Sequence, residues 1–314
     1  MTRAAQRTSA LYVAISAILG LLACLPASAR ATDADPSPSP TPTPSPTPDV
    51  MRTTGWYAYP TPDTISVYTP STPGAHPTVV FVHGGAWGRS QPNSYELTWA
   101  QDLAQQQGWV VAVIGYPTKI ARAQVVEPRA ITLALQDIAQ LPGVDPHQMA
   151  MWGESAGAQL ALLAAYRGVS QGDPLVSAVV SISGPTDMRT EYASLAQTAL
   201  GAVTRFEGLS PRAASRVNSA RYRNTSPLDI VSPDDPATFQ AISRHDQLVP
   251  AKQVTRLSRA LAAAHVVHRT VEIPGRAHST ALETVHPPGS QLTVQELAID
   301  FLTTVFNAQR VSFG

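Results

Sequence analysis

Cysteine is nearly absent from this 314-residue chain, and the single one, Cys24, lies in an apolar N-terminal segment. Without disulfide bonds, the folded part must take its stability from a buried core. The chain also has no net charge, because 22 acidic residues balance 22 basic residues. Nucleic-acid-binding proteins need a clustered basic excess, so the composition argues against a nucleic-acid partner.

A long apolar run occurs at the N-terminus, where Leu11 to Leu25 follows the positively charged Arg3 and Arg7. Two small-x-small sequences between residues 27 and 31 fit signal-peptide cleavage sites. The run is shorter and more weakly hydrophobic than a stable membrane span. We therefore predict that residues 1–31 are a signal peptide and that the protein is secreted or extracytoplasmic.

Two features of the N-terminal region bear on a membrane or cell-surface tether. Leu21-Leu22-Ala23-Cys24 resembles a bacterial lipobox, whose cysteine becomes lipidated, although Leu22 is bulkier than that position usually holds. The alternative is that Cys24 belongs to a discarded peptide. Residues 32–50 are rich in Pro, Ser and Thr, which predicts an extended polyproline-II linker. A spacer suits a tethered protein, but an untethered leader has the same composition.

Residues 51–314 alternate between apolar, β-branched runs and helical patterns, which predicts one folded domain. The predicted strands are Thr64–Tyr68, Thr78–Val82, Trp109–Ile114, Met149–Trp152, Val176–Ile182, Thr238–Ser243 and Val267–Ile273. The predicted helices are 93–107, 125–141, 156–167, 249–264 and 292–306, the last with an apolar face at Leu292, Leu297, Phe301 and Val305. This order implies an α/β fold with a mostly parallel sheet and helices on both faces. Residues 188–236 are more polar and less regular, which predicts a small cap on the domain.

A nucleophile-elbow pattern lies at the centre of this domain, in Gly153-Glu154-Ser155-Ala156-Gly157. An apolar strand precedes it and an alanine-rich helix follows it, which is the context that the pattern requires. The two glycines let the strand and the helix approach closely. Ser155 would then be exposed at the turn, over the positive end of the helix, as a nucleophile.

A serine hydroxyl needs a base within hydrogen-bond reach and a third group that orients the base. Asp246 follows the predicted strand Thr238–Ser243, and His278 follows the next strand, Val267–Ile273. The order Ser, Asp, His along the chain is typical of α/β hydrolases. Asp187 is the best rival acid, but it follows a strand too early in the chain. We predict Ser155, Asp246 and His278 as catalytic residues.

Hydrolysis of an ester or amide passes through an oxyanion, which preorganised backbone N–H groups stabilise. His83-Gly84-Gly85-Ala86 follows a buried strand and could form such a loop. We predict donors at Gly85, Ala86 and Ala156, with Gly84 making the turn and His83 bracing it. A plain glycine turn is the alternative for the Gly-Gly pair alone.

Together these motifs resemble those of the α/β-hydrolase esterases related to hormone-sensitive lipase. The matching stretches are His83-Gly84-Gly85-Ala86-Trp87, Gly153-Glu154-Ser155-Ala156-Gly157, Ser226-Pro227 with Val231-Ser232-Pro233, Asp246-Gln247-Leu248-Val249-Pro250, and His278. The resemblance covers about residue 60 to the C-terminus. It implies an α/β-hydrolase fold and a carboxylesterase that forms an acyl-enzyme without metal or cofactor. The His-Gly-Gly-x-Trp form also resembles arylformamidases.

The expected function is therefore hydrolysis of small to medium acyl esters, with a small-molecule ester as the partner. An arylformamidase or another amide hydrolase would use the same residues, and a non-catalytic surface binding protein is the remaining alternative. Trp87 and the cap are expected to shape the substrate pocket. Trp87 is equally explained as an aromatic residue of the core.

Overall fold

The computed structural model describes residues 49–54, 64–172, 175–189, 197–208 and 220–313. The predicted signal peptide, the lipobox and most of the predicted linker lie outside these residues, as do residues 190–196 and 209–219 of the predicted cap. The first strand begins at Asp49, two residues inside the predicted linker. Within the described ranges, no helix combines the length and the apolar character needed to cross a bilayer.

Eight strands form one sheet among the described residues. They are β1 Asp49–Thr54, β2 Thr64–Thr69, β3 His76–Val82, β4 Val110–Ile114, β5 Val144–Glu154, β6 Ala178–Ile182, β7 Ala237–Ser243 and β8 His268–Ile273. Their spatial order is β1-β2-β4-β3-β5-β6-β7-β8. Strand β2 runs antiparallel to both of its neighbours, and all the pairs from β4 to β8 are parallel. The predicted mostly parallel sheet is confirmed.

Helices cover both faces of this sheet. They are α1 Ser94–Gln107, α2 Ala123–Ile138, α3 Ala156–Ser170, α4 Gln197–Glu207, α5 Ala220–Asn224, α6 Lys252–Ala263, α7 Thr280–Glu283 and α8 Val294–Phe313, with a 3₁₀ helix at Pro227–Ile230. Alternate residues of a strand point to opposite faces. Val80 and Val82 accordingly pack with α2, α3 and α6, whereas Val79 and Phe81 pack with α1 and α8. Strand β3 is therefore buried on both sides, as its continuous apolar run predicts.

Strands β3, β5 and β7 and helix α2 begin earlier than predicted, and the shift is largest for β5. Strand β5 starts at Val144, because this residue pairs with His76 before a register shift, after which Met149 pairs with Thr78. Helix α2 starts at Ala123. The residue before it, Arg122, adopts a left-handed backbone conformation at the N-cap position. Pro128 lies in the second turn of this helix.

The last helix begins two residues later than predicted, and Leu292 is not part of its apolar face. Leu292 is 41% exposed. The Thr293 hydroxyl accepts from the backbone N–H of Glu296, and the Glu296 carboxylate accepts from the backbone N–H of Thr293. This reciprocal cap starts the helix after Thr293 and leaves Leu292 outside it.

The described part of the predicted cap consists of α4, α5 and the 3₁₀ helix. Met188, Phe206 and Tyr222 are buried in the same apolar cluster as α2 and α3. The described part of the cap is thus packed onto the body of the domain. The predicted site residues follow the carboxyl ends of parallel strands: His83 follows β3, Ser155 follows β5, Asp246 follows β7 and His278 follows β8. These ends lie along one edge of the sheet, so the four residues lie on the same side of the domain.

Candidate active site

Ser155 occupies the sharp turn between β5 and α3. Its φ of 49° and ψ of −121° are unusual for a residue that carries a side chain. The Ser155 backbone N–H donates to the carbonyl of Ile182 at 2.9 Å, which ties the turn to the end of the neighbouring strand. Such strain persists only where the surroundings hold it, and it is concentrated at functional sites.

The two glycines of the elbow are required by close backbone contacts. A Cβ atom on Gly157 would lie 2.1 Å from the carbonyl oxygen of Val82. A Cβ atom on Gly153 would lie 2.5 Å from the Cα atom of Ala158. Any side chain at these positions would therefore separate α3 from strands β3 and β5, which together position Ser155.

Ser155, His278 and Asp246 form a continuous hydrogen-bonded chain. The Nε2 atom of His278 lies 2.9 Å from the Ser155 hydroxyl oxygen, and its Nδ1 atom lies 2.7 Å from Oδ2 of Asp246. The other Asp246 oxygen accepts the backbone N–H groups of Leu248 at 2.8 Å and Val249 at 3.0 Å. The carboxylate fixes Nδ1 as the protonated nitrogen, so the lone pair of Nε2 faces the serine hydroxyl. The structure brings the three predicted residues together.

The rival acid Asp187 has different partners. Its buried carboxylate forms ion pairs with Arg189, at 3.2 Å, and with Arg256 on α6. The backbone N–H groups of Thr186 and Asp187 both donate to the side-chain oxygen of Gln253 on the same helix. Asp187 therefore anchors the start of the cap to α6.

The loop after β3, residues 83–89, passes directly beside the nucleophile and is called the oxyanion loop below. A Cβ atom on Gly84 would lie 3.2 Å from that of Ser155. Gly85 and Ala86 have φ angles of 128° and 53° and are exposed. Among the described residues, the backbone N–H groups of Gly85, Ala86 and Ala156 donate to no protein acceptor. These three predicted donors are thus available to a substrate oxygen near Ser155.

The carbonyl oxygen of Gly84 is the anchor of the oxyanion loop. It accepts from Nδ1 of His83 at 2.7 Å and from Nη2 and Nε of Arg89 at 3.0 and 3.3 Å. Arg89 is itself held by both carboxylate oxygens of Glu96, at 2.5 and 2.8 Å. The C=O and N–H of a trans peptide point in opposite directions. Anchoring the Gly84 oxygen therefore fixes the direction of the Gly85 N–H.

His83 braces the loop from the interior. Its ring stacks on Tyr116 with the ring centres 4.5 Å apart, and the Tyr116 hydroxyl donates to the His83 carbonyl at 3.0 Å. Burial lowers the pKa of His83. A neutral ring that donates from Nδ1 suits this position, because a charge would be costly to bury.

Comparison with known proteins places the chain in a family. The family model described as BD-FAE matches residues 65–261, which is more than half of the chain. The chain belongs to the BD-FAE family. The predicted resemblance to α/β-hydrolase esterases is confirmed at this level.

Curated relatives of this BD-FAE family chain come from Mycobacterium tuberculosis (strain ATCC 25618 / H37Rv). The probable carboxylic ester hydrolase LipM is 28% identical over 57% of the chain and 43% of its own length. The esterase LipQ is 28% identical over 73% of the chain and 56% of its own length. The chain thus spans about half the length of the curated relatives it matches.

Solved structures share the fold. Carboxyl esterase 2 of the mycorrhizal fungus Tuber melanosporum matches with a TM-score of 0.64 and 18% identity, over 85% of this chain and 89% of that chain. An esterase of Pyrobaculum calidifontis matches with a TM-score of 0.64 and 19% identity, over 84% and 86% of the two chains. These matches and the sheet topology establish the α/β-hydrolase fold.

In this family member, Trp87 is an interior residue. It is 6% exposed, and its ring stacks on Phe206 of the cap with the ring centres 4.9 Å apart. Its Nε1 donates to the side-chain oxygen of Gln159 at 3.0 Å, and the Gln159 amide nitrogen donates to the Thr225 carbonyl at 2.8 Å. Of its two predicted roles, this packing matches the core aromatic and links the oxyanion loop to the cap.

Two buried carboxyl groups near the elbow were not predicted. Glu154 directly precedes Ser155, and its side chain is 2% exposed; Glu283 on α7 is fully buried. Burial, together with the nearby Glu96, raises the pKa of Glu154 to about 8, and burial raises that of Glu283 well above its usual range. The sequence weakly indicated the burial of Glu154, since this charged residue lies at the end of a strand that is buried on both faces. Within the described ranges, no group of three or more His, Cys, Asp and Glu side chains could hold a metal ion.

Proposed function

We propose that this protein is a serine carboxylesterase that hydrolyses small to medium acyl esters through an acyl-enzyme intermediate. The observation that carries the proposal is the hydrogen-bonded chain from Asp246 through His278 to Ser155. The names of the curated relatives, a carboxylic ester hydrolase and an esterase, support the same chemistry.

In the proposed reaction, the Ser155 oxygen attacks the acyl carbon of the ester. The Nε2 lone pair of His278 accepts the hydroxyl proton as the new bond forms, because these two atoms are already within hydrogen-bond distance. The resulting imidazolium then donates this proton to the leaving alcohol. A water molecule repeats the cycle on the acyl-enzyme and releases the acid.

Asp246 supports both proton transfers. Its carboxylate is fully buried and accepts from Nδ1 of His278, so it stabilises the imidazolium and holds the ring orientation. It also accepts hydrogen bonds from two backbone N–H groups, which prevent the carboxylate from turning away. The protein thereby keeps the base pointed at Ser155 before substrate binds.

Negative charge on the substrate oxygen would be stabilised by the backbone N–H groups of Gly85, Ala86 and Ala156. These donors are fixed before the reaction, so no reorganisation is needed when the charge develops. Removing one such donor typically costs about 100- to 1000-fold in rate. The anchored Gly84 carbonyl supports this assignment, since it restricts the loop that carries two of the three.

The test is hydrolysis of p-nitrophenyl esters of increasing acyl length by the purified protein. The proposal expects turnover that falls with long acyl chains and that disappears in Ser155→Ala. Ser170→Ala removes an exposed hydroxyl at the far end of α3 and should retain full activity. An aryl formamide assayed in parallel separates the esterase from an amide hydrolase. A strong preference for the formamide, or turnover of the ester that survives Ser155→Ala, contradicts the proposal.

We further propose that the protein is exported by the segment 1–31. The sequence supports this with its two N-terminal arginines, its apolar run and its small-x-small sites. Mass spectrometry of the mature protein from the producing cell tests it. A start at Arg30 or Thr32 indicates ordinary cleavage, and a lipidated Cys24 indicates a membrane tether. An intact Met1 on cytosolic protein contradicts export.

A further inference from the structure

A second serine with unusual backbone geometry lies next to the histidine of the site. Ser279 directly follows His278 and has a φ of 57° and a ψ of −133°. Ser155 has nearly the same angles, so the nucleophile and the residue next to the catalytic histidine have similarly strained backbones. A residue that carries a side chain is strained in this region, so its surroundings must hold it there.

Ser279 is held in this conformation by the elbow itself. Its hydroxyl donates to Oε2 of Glu154 at 3.0 Å, and its backbone N–H donates to the Ser183 hydroxyl at 3.2 Å. Because Glu154 precedes Ser155 and Ser279 follows His278, these contacts join the two chain segments a second time, beside the His278–Ser155 hydrogen bond.

Stability alone does not account for this arrangement. Glu154 lies near four charged or titratable groups, which are Glu283 on α7, Glu96 and Tyr95 on α1, and Arg89 in the oxyanion loop. Glu283 accepts from Nε1 of Trp152 at 2.8 Å. Two adjacent buried carboxyl groups repel each other when ionised and are costly to desolvate. An apolar pair would fill the same space at a lower cost.

We propose that Glu154 is a positioning residue that aims the His278 ring at Ser155 by holding Ser279 in its strained conformation. This inference rests on the proposed function. Ser279 and His278 are joined by a single peptide bond. Once the Ser279 hydroxyl and N–H are hydrogen-bonded, the backbone of His278 is also restrained, and its imidazole ring can move little. Without the Glu154 contact, Ser279 relaxes towards an ordinary conformation, and the Nε2 atom moves out of reach of the Ser155 hydroxyl.

Steady-state kinetics of Glu154→Ala, Ser279→Ala and the double variant test the proposal. Misplacement of a catalytic group by about 1 Å can cost about 100-fold, so each single variant should lose about 10- to 100-fold in kcat. KM should change by less than about threefold, because no substrate contact is removed. The double variant should be no slower than the slower single variant, since both remove one shared contact. Glu154→Gln should restore most of the rate, because its amide oxygen still accepts from Ser279.

A matched control exists at the opposite edge of the sheet, before β7. There the buried Asp235 accepts from the Ser232 hydroxyl at 2.9 Å and from its backbone N–H at 2.8 Å. Asp235→Ala and Ser232→Ala remove the same kind of contact and should lower the melting temperature without changing kcat. If Ser279→Ala lowers only the melting temperature, like these controls, the positioning role is wrong.

A crystal structure of Ser279→Ala separates this inference from the proposed function. The inference expects the Nε2–Oγ separation to exceed hydrogen-bond range. An unchanged separation of 2.9 Å overturns the inference, whether or not the wild-type protein hydrolyses esters. Wild-type turnover that depends on Ser155, together with unaltered kcat in both single variants, overturns the inference and leaves the proposed function intact.

Discussion

The Nε2 atom of His278 lies 2.9 Å from the hydroxyl oxygen of Ser155, although 123 positions separate the two residues in the chain. Ser155 follows β5 and His278 follows β8, which is three strands away in the sheet. Three strand spacings amount to about 14 Å. The loop after β8 must therefore return across the ends of β7 and β6 to reach the nucleophile. Contacts within this loop determine the position of the base.

We predict that Asp246→Asn lowers kcat by about 10³- to 10⁴-fold while the protein remains folded. An amide in place of the carboxylate can donate to Nδ1 of His278, which favours the tautomer that cannot accept the serine proton. Asp187→Asn is the matched control, because Asp187 is an equally buried aspartate whose partners are Arg189 and Arg256. It should lower stability and leave kcat within about threefold. Equal losses of kcat in the two variants would contradict the assignment of Asp246.

The sequence was sufficient to predict which residues after the strands are catalytic candidates. Ser155, Asp246 and His278 each follow a buried strand, and parallel strands bring such positions to one edge of the sheet. The alternation of strands and helices likewise predicted the class of fold. These signals are local, because each depends on a few neighbouring residues.

The residues that hold the site were harder to predict, because their roles depend on partners far away in the chain. Arg89 is a single basic residue in a loop, and only the folded structure brings it to the Gly84 carbonyl. Ser279 meets Glu154 across 125 positions. The early start of β5 similarly depends on pairing of Val144 with His76, which no periodicity within the strand indicates.

We predict that Gly157→Ala prevents formation of the native site. Its new methyl group would lie within 2.1 Å of the Val82 carbonyl and 2.4 Å of the His83 carbonyl, both of which are backbone atoms that cannot rotate away. Soluble yield and the melting temperature should fall sharply. Gly201→Ala in α4 is the control, since its Cβ would meet only the end of the Arg205 side chain, at 3.6 Å. That variant should gain about 0.5 to 1 kcal/mol of stability, because alanine favours the helix interior.

We predict that Arg89→Ala lowers kcat by about 10- to 100-fold with little change in KM. The loss of the two donors to the Gly84 carbonyl should free the peptide that carries the Gly85 N–H, and this donor matters most in the transition state. Arg89→Lys keeps the charge but not the planar fork, so it should recover only part of the rate.

The control for Arg89 is Arg269→Ala, which breaks an exposed pair with Asp300 at 3.5 Å on α8. Pairs of this kind contribute little, so neither kcat nor the melting temperature should change measurably. If Arg89→Ala raises KM and leaves kcat unaltered, Arg89 contacts the substrate directly and the positioning argument is wrong.

Glu127 makes stability depend on pH. This residue of α2 is fully buried, and within the described structure neither of its carboxyl oxygens has a hydrogen-bond partner. Burial raises its pKa to about 9, whereas an unfolded glutamate titrates near 4.5. Between these values the unfolded chain releases a proton that the folded protein keeps. The free energy of unfolding therefore falls as pH rises, by at most about 1.4 kcal/mol per pH unit.

We predict that Glu127→Gln removes this dependence, so its melting temperature should exceed that of the wild type by a margin that grows from pH 5.5 to pH 8. Glu296 provides the opposite case, because the Thr293 backbone N–H and hydroxyl lower its pKa, and that contribution is lost only as pH falls. Glu296→Gln should therefore give no gain at pH 8. A margin for Glu127→Gln that is equal at both pH values would show that the carboxyl is not held neutral in the folded protein.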